Sequence, residues 1–310
     1  MTELRIIFMG TPEFAVPSLE MLVENKFNVV AVITAPDKPQ GRGQNLTASA
    51  VKECALKYNL PILQPSNLKA SEFIEELRTY NANLQVVVAF RMLPEAVWAM
   101  PSIGTFNLHA SLLPQYRGAA PINWAMINGE KETGVTTFFL KHAIDTGSII
   151  FQEREPIHAN DDAGTLYDRL MKKGGELVLK TVRAIEAGQY PNTPQVETSE
   201  TNHAPKIFKE TCSIDWNQPS ERVRNFIRGL SPYPSAWAIL HSKTYKIFSV
   251  DISSSTNQKD IKPGEIKTDN KTYLQIKTSD GWVSVLELQP EGKKRMKIED
   301  FFRGNKIVNS

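Results

Sequence analysis

The sequence predicts an α/β doubly wound, Rossmann-like, mostly parallel sheet, followed by a small OB-like β-barrel domain. Three observations carry this reading. Short apolar runs alternate with amphipathic helical stretches through the first half, the rhythm that builds a parallel sheet with helices on both faces. The last third reads instead as short strands separated by polar turns. The charge also changes sign along the chain: 18 Lys and Arg stand against 22 Asp and Glu up to His203, and 18 against 12 beyond it. A length of 310 residues leaves room for two domains, expected over 1–188 and 206–310 with a linker at 189–205.

Each element has a local reason. Residues 4–9 form an apolar run ending at Gly10, and 12–24 carry Phe14, Leu19 and Leu22 at near-helical spacing, with Pro12 suited to a first turn. Residues 28–34 are a β-branched strand, 49–58 read as helix and 61–63 as a short strand. Phe73, Ile74 and Leu77 share one face of a helix over 70–80. Residues 84–89 are apolar on both sides, as a buried parallel strand requires, and 103–108 form a further strand. Two more strands are expected at 134–141 and 148–155, joined through Asp145-Thr146-Gly147. A long helix over 163–187 shows Leu166, Leu170, Leu177, Val178, Thr181 and Ile185 on one stripe. The stretch 188–203 has no periodicity. Past it, Ser220 is expected to cap a helix bearing Val223, Phe226 and Ile227. Strands follow at 236–240, 245–250, 264–268, 273–277 and 282–288, with 252–260 a polar loop.

Composition excludes several classes. No apolar run reaches membrane-spanning length and the amino terminus lacks a signal core, so a cytoplasmic protein is expected. Cys54 and Cys212 have neither metal nor redox spacing and read as reduced thiols. The first strand ends in Gly10-Thr11-Pro12 and lacks the Gly-x-Gly-x-x-Gly turn of a nicotinamide dehydrogenase. No His, Cys or Glu cluster has metal-ligand spacing, so no catalytic metal is expected. The net-basic back half suits a polyanion, although a small domain can also be solubilised by lysine alone.

Candidate chemistry gathers at the end of the 103–108 strand, the place where open α/β sheets hold ligands. Asn107 alone reads as a turn former, His109 as a structural histidine and Asp145 as a loop cap. Together they supply an oxyanion donor, a proton-handling ring and a carboxylate that sets the ring's tautomer and charge, which suits acyl transfer between nitrogens. The stretch 111–121, with two prolines, a glycine and two alanines, has little core value and suits a rigid ligand wall.

Asn107-x-His109-x-Ser111-Leu112-Leu113-Pro114-x-Tyr116-Arg117-Gly118, followed by Asp145-x-Gly147, resembles the signature of the 10-formyltetrahydrofolate-dependent formyltransferases. Gly10-Thr11-Pro12-Glu13-Phe14-Ala15, Asp37-Lys38-Pro39-x-Gly41-Arg42-Gly43, Ala204-Pro205-Lys206-Ile207 and Pro232-x-Pro234-x-Ala236-Trp237 are similar to the opening loop, inserted loop, linker and second domain of the members that formylate methionyl-tRNA. The likeness spans nearly the whole chain. It implies a transferase of translation initiation and one-carbon metabolism, passing the formyl group of 10-formyltetrahydrofolate, as co-substrate, to the α-amino group of methionyl initiator tRNA.

The resemblance also assigns residues. It makes Asn107, His109 and Asp145 the catalytic set and places the folate along Ser111, Leu112, Leu113 and Pro114. In relatives, backbone groups of a Tyr-Gly-x-Ile/Leu-Leu-Pro segment hold the pterin. Here that segment reads Phe90-Arg91-Met92-Leu93-Pro94, one residue shorter and with an arginine, so Arg91, Met92 and Leu93 are the expected contacts. Lys38, Gly41, Arg42 and Gly43 of the inserted loop are expected on tRNA, since glycines allow close backbone approach and arginine forks onto phosphate. The 206–310 domain is expected to bind tRNA too, with Lys293-Lys294-Arg295 a candidate phosphate contact. A monomer suffices for one such site. Other acceptors in the same superfamily (a glycinamide ribonucleotide, an amino sugar, or water) and a non-catalytic RNA-binding protein remain the alternatives.

Overall fold

A computed structural model describes residues 3–40, 45–143, 145–196, 198–253 and 261–307. The chain divides into two compact units that do not follow chain order. One holds Met1–Arg117, Thr133–Glu155 and Tyr167–Asn202; the other holds Gly118–Glu132, Pro156–Leu166 and His203–Ser310.

The first unit is built on a seven-stranded sheet. From edge to edge its strands are Ile149–Pro156, Glu132–Phe139, Gly104–His109, Leu84–Val88, Arg5–Gly10, Asn28–Ile33 and Ile62–Leu63. Pairing is parallel from Gly104–His109 across to Ile62–Leu63, and antiparallel where Gly104–His109 meets Glu132–Phe139. The expected β-α alternation is therefore present, with helices at Val16–Glu24, Ala50–Lys57, Ser71–Thr79 and Ala163–Glu186. Ser49 caps the second of these, its hydroxyl accepting from the Lys52 N–H at 3.1 Å. Ile7, Met9, Ala31, Ile33 and Val87 form one core with Phe73 and Leu77. Each larger side chain among them removed from water contributes about 1.5–3 kcal/mol. The long helix is fastened to the strands by a Thr137–Thr181 hydroxyl pair at 2.8 Å and by close approach at Gly174, where a Cβ would lie 2.7 Å from Leu108.

Two elements of this unit depart from the sequence reading. The inserted loop contains a β-ladder, Lys38–Gln40 antiparallel to Asn45–Thr47, which polar composition and Pro39 conceal. Its base is held by Asp37, whose carboxylate accepts from Lys52 at 2.5 Å and from Gln64 at 2.8 Å; these bonds hold the carboxyl below its usual range. The sequence also gave no sign of the short helix Glu95–Trp98.

The second unit carries an antiparallel, curled sheet in the order Ala236–Leu240, Lys243–Ser253, Trp282–Pro290, Leu274–Lys277 and Ile266–Thr268, with Met296–Lys297 beside Trp282–Pro290. Alternate residues point inward: Ile247, Ile276, Val283, Val285 and Leu288 form a core with Val223, Ile227 and Leu230 of the helix Ser220–Leu230. Phe301 and Phe302, on an unforeseen short helix Ile298–Phe302, join the same core. The helix Pro121–Ile127, also unforeseen, follows the proline-containing loop.

The expectation for Ser220 needs correction. Pro219 is the cap position and makes no side-chain cap bond. The Asp280 carboxylate, 60 residues away, instead accepts from both the Ser220 N–H and its hydroxyl at 2.8 Å. A capping group supplied from a turn 60 residues away leaves no local sequence signal. Residues 254–260 of the expected polar loop lie outside the described residues; Ile252 and Ser253 belong to a strand.

Candidate active site

Strand register alone gathers the site. Val88 pairs with both Gly10 and Leu108, so Thr11, Ala89 and His109 stand at one level along the carboxyl edge of the sheet. Gly10 must be small there, because a Cβ would sit 2.7 Å from that of Ala15. Asn107 and His109, two apart on one strand, present their side chains to the same face.

His109 is buried and its Nε2 lies 2.8 Å from the carbonyl oxygen of Tyr116. A carbonyl only accepts, so Nε2 carries a hydrogen and Nδ1 is the nitrogen free to gain or lose a proton. Nδ1 stands 3.8 Å from Asp145 Oδ2. Two of the three predicted catalytic groups thus converge directly. The carboxamide of the third, Asn107, is half-buried and has no hydrogen-bond partner among the described residues. An amide donor held at a strand end without a recipient fits a substrate carbonyl oxygen, which is what an oxyanion site requires.

Three non-glycine residues here adopt left-handed backbone: Ala89 at φ +48°, Tyr116 at φ +59° and Asp145 at φ +53°. Such conformations cost about 1–3 kcal/mol each and persist where the surroundings enforce them. Position 147 must be glycine, since a Cβ there would fall 1.5 Å from the Phe139 carbonyl oxygen.

The loop after His109 is supported from beneath by one hydroxyl. Thr136 Oγ1 donates to the Ser111 carbonyl at 2.6 Å and accepts from the Leu113 N–H at 3.2 Å. Gln152 Nε2 donates to that hydroxyl at 3.0 Å and to the Leu113 carbonyl at 2.9 Å. Ser111 turns its own hydroxyl inward to the Gln115 carbonyl at 2.6 Å and is fully buried, as Leu113 nearly is. Leu112 and Pro114, half-buried, are the members of the segment left with surface to offer.

The second expected folate segment is less uniform. It follows strand Leu84–Val88 and so reaches the same carboxyl edge. Met92 is 73% exposed, whereas Leu93 packs against the core. The Arg91 guanidinium donates to the carbonyls of Ser66, at 3.0 Å, and Pro65, and partial burial lowers its pKa. Those two carbonyls turn the head group toward the Pro65–Ser66 backbone, while the backbone and alkyl stem of Arg91 stay available to a ligand.

Of the residues expected on tRNA, Lys38 is exposed on its strand; Gly41, Arg42 and Gly43 lie outside the described residues. In the second unit Lys293, Lys294 and Arg295 are all exposed, but Arg295 is bound to Glu287 and lies 4.5 Å over the Phe248 ring.

Sequence reasoning overlooked Thr136, Gln152 and Gln195. Gln195 Nε2 reaches the backbone carbonyls of Asp145 and Gly147, both at 2.8 Å. The available signals were faint: one of three threonines on a largely buried strand, and a glutamine in an aperiodic stretch.

Residues 4–182 match the formyl transferase family and 206–306 the formyl transferase carboxy-terminal domain. The chain is 56% identical over 308 residues to a methionyl-tRNA formyltransferase of Bacteroides fragilis, covering 97% of this chain and 95% of the relative. It is 54% identical over 313 residues to the corresponding protein of Bacteroides thetaiotaomicron, covering 98% and 97%. Among solved structures, WlaRD, a sugar 3N-formyl transferase, aligns with a TM-score of 0.68 at 23% identity, covering 95% of this chain and 100% of its own. The N-formyltransferase of Helicobacter canadensis, with folinic acid and dTDP-3-aminofucose, aligns at 0.67 and 22%, covering 93% and 99%; both likenesses concern the fold. The chain belongs to the methionyl-tRNA formyltransferases, within the formyl transferase family.

Proposed function

We propose that this enzyme transfers the formyl group of 10-formyltetrahydrofolate to the α-amino group of methionyl initiator tRNA, with Asn107, His109 and Asp145 as its catalytic residues. The observation that carries the assignment of residues is the contact at 3.8 Å between Asp145 and Nδ1 of His109, whose strand also bears the Asn107 amide, without a partner among the described residues. The amine nitrogen bonds to the formyl carbon, the carbon–N10 bond breaks, and the proton lost by the amine ends on the departing folate nitrogen. Asn107 donates to the oxygen that becomes negative between these steps. His109 takes part through Nδ1, either accepting the amine proton or, when charged, adding to oxyanion stabilisation. Asp145 lies where it balances positive charge on the ring.

The folate is assigned to Ser111, Leu112, Leu113 and Pro114 with the backbone of Arg91, Met92 and Leu93. This suits the buried support under the first segment and the shared strand edge of the second. The tRNA is assigned to Lys38, Gly41, Arg42 and Gly43 and to the net-basic stretch beyond residue 206. We assign the reaction to the cytoplasm and to a single subunit.

The test is transfer of labelled formyl from 10-formyltetrahydrofolate to charged initiator tRNA, run beside an amino-sugar nucleotide and glycinamide ribonucleotide. Label should appear only on methionyl-tRNA. Label on either small acceptor, or tRNA binding with no turnover, overturns the proposal.

A further inference from the structure

We infer that Gln195, backed by Arg117, is a positioning residue that sets the Asp145 carboxylate against His109; this rests on the assignment of Asp145 as catalytic. Asp145 sits in a left-handed conformation on a connection between two strands, with Gly147 confined by the Phe139 carbonyl. Within that connection, the Thr146 hydroxyl donates to the Ala143 carbonyl. The firmer hold comes from 50 residues down the chain. Gln195 donates both of its amide hydrogens, one to the Asp145 carbonyl and one to the Gly147 carbonyl, at 2.8 Å each.

The other end of the same amide is equally committed. Gln195 Oε1 accepts from Arg117 Nε at 3.1 Å and from Arg117 Nη2 at 2.8 Å. Arg117 is buried and directly follows Tyr116, whose carbonyl fixes the His109 ring. One carboxamide therefore ties the segment that orients the imidazole to the segment that carries the carboxylate. The backbone around Gln195 is itself pinned, because Thr193 exchanges two hydrogen bonds with Ile149, at 2.8 and 3.0 Å. The side chain has to be an amide. A carboxylate cannot donate to two carbonyls, and an ammonium cannot accept from a guanidinium.

Gln195 touches neither the ring nor the reacting atoms, so its effect should appear in turnover and leave binding largely intact. Misplacing a catalytic group by about 1 Å costs on the order of 100-fold. The experiment compares Q195A, Q195E, D145N and the double variant Q195A/D145N in the full chain, by single-turnover transfer to methionyl initiator tRNA across pH. Q195A is expected to lower the transfer rate about 10- to 100-fold. Half-saturating concentrations of both substrates should stay within about twofold. Its pH profile should move in the same direction as that of D145N. In the D145N background, Q195A should add less than about twofold, since residues acting as one unit are not additive.

A full Q195A loss on top of D145N, or an effect confined to half-saturating concentrations, overturns the inference. Wild-type turnover by D145N overturns the assignment of Asp145 itself, a result distinct from any obtained at Gln195. Should Q195A fail to fold, the equal-sized Q195E carries the comparison. Amide exchange across 145–147 accompanies it: unchanged protection there in Q195E also counts against the inference.

Discussion

The Nδ1 of His109 faces the Asp145 carboxylate at 3.8 Å, and it does so because the other ring nitrogen is bound to a backbone carbonyl. That carbonyl belongs to Tyr116, a residue in left-handed backbone conformation. A local turn thus decides which nitrogen of the ring handles protons. An Asp145→Asn variant would offer Nδ1 an amide hydrogen and occupy the lone pair that the reaction needs. We expect it to lower single-turnover transfer by on the order of 100- to 10,000-fold. Folate binding, measured by fluorescence quenching, should be retained. Near-normal transfer would remove Asp145 from the chemistry.

Asn107 is the second point of attack. Its amide has no protein partner among the described residues, so removing it leaves no buried group orphaned. Asn107→Ala should therefore leave the melting temperature nearly unchanged. Its rate constant for transfer should fall by about 100- to 1000-fold, near 3–4 kcal/mol of lost transition-state stabilisation. A large fall in stability with little loss of rate would make Asn107 structural.

The contrast between these residues and Thr136 shows what the sequence could and could not disclose. Asn107 and His109 were legible because they interrupt an apolar strand at its carboxyl end, where parallel sheets hold ligands. Asp145 was legible as part of a short polar connection ending in glycine. The helices at Ser71–Thr79 and Ala163–Glu186 followed from apolar periodicity. What escaped was held by long-range polar bonds. Asp37, at the base of the Lys38–Gln40 ladder, reaches Lys52 and Gln64, and the helix at Ser220 is capped by a carboxylate from a turn 60 residues away. Neither pattern has a period. The Arg91 segment shows a different limit: its departure from the familiar pattern was visible, but its carbonyl partners at Pro65 and Ser66 were not.

Thr136 supports the loop that carries Ser111 to Pro114. Replacing it with valine keeps the shape and removes every bond of the hydroxyl. That strands the Leu113 N–H and the Ser111 carbonyl in a buried setting and leaves Gln152 one acceptor short. We expect Thr136→Val to destabilise the protein by about 2–4 kcal/mol in urea melts. The half-saturating concentration of the formyl donor should rise with it. Thr136→Ser keeps the hydroxyl and gives up only a methyl group, worth about 1 kcal/mol, so it should largely restore both properties. Equal losses in the two variants would show that packing, and not the hydroxyl, holds the loop.

Asp280 gives a prediction in pH. The Ser220 N–H, followed by the Ser220 and Thr278 hydroxyls, holds its carboxyl below the usual carboxylate range. A carboxyl whose folded pKa is depressed stabilises the fold above its unfolded value, near 3.9, and that contribution disappears as pH falls through the folded value. Asp280→Ala removes a helix cap and should cost about 1 kcal/mol at neutral pH. The difference between wild type and variant should stay constant from neutral pH down to about 5, then shrink as the acid midpoint is crossed. Urea melts of both proteins at a series of pH values measure it directly. A difference that persists undiminished well below pH 3 would mean that the side chain acts through its neutral hydrogen bonds and packing, and that its charge contributes nothing to the helix it caps.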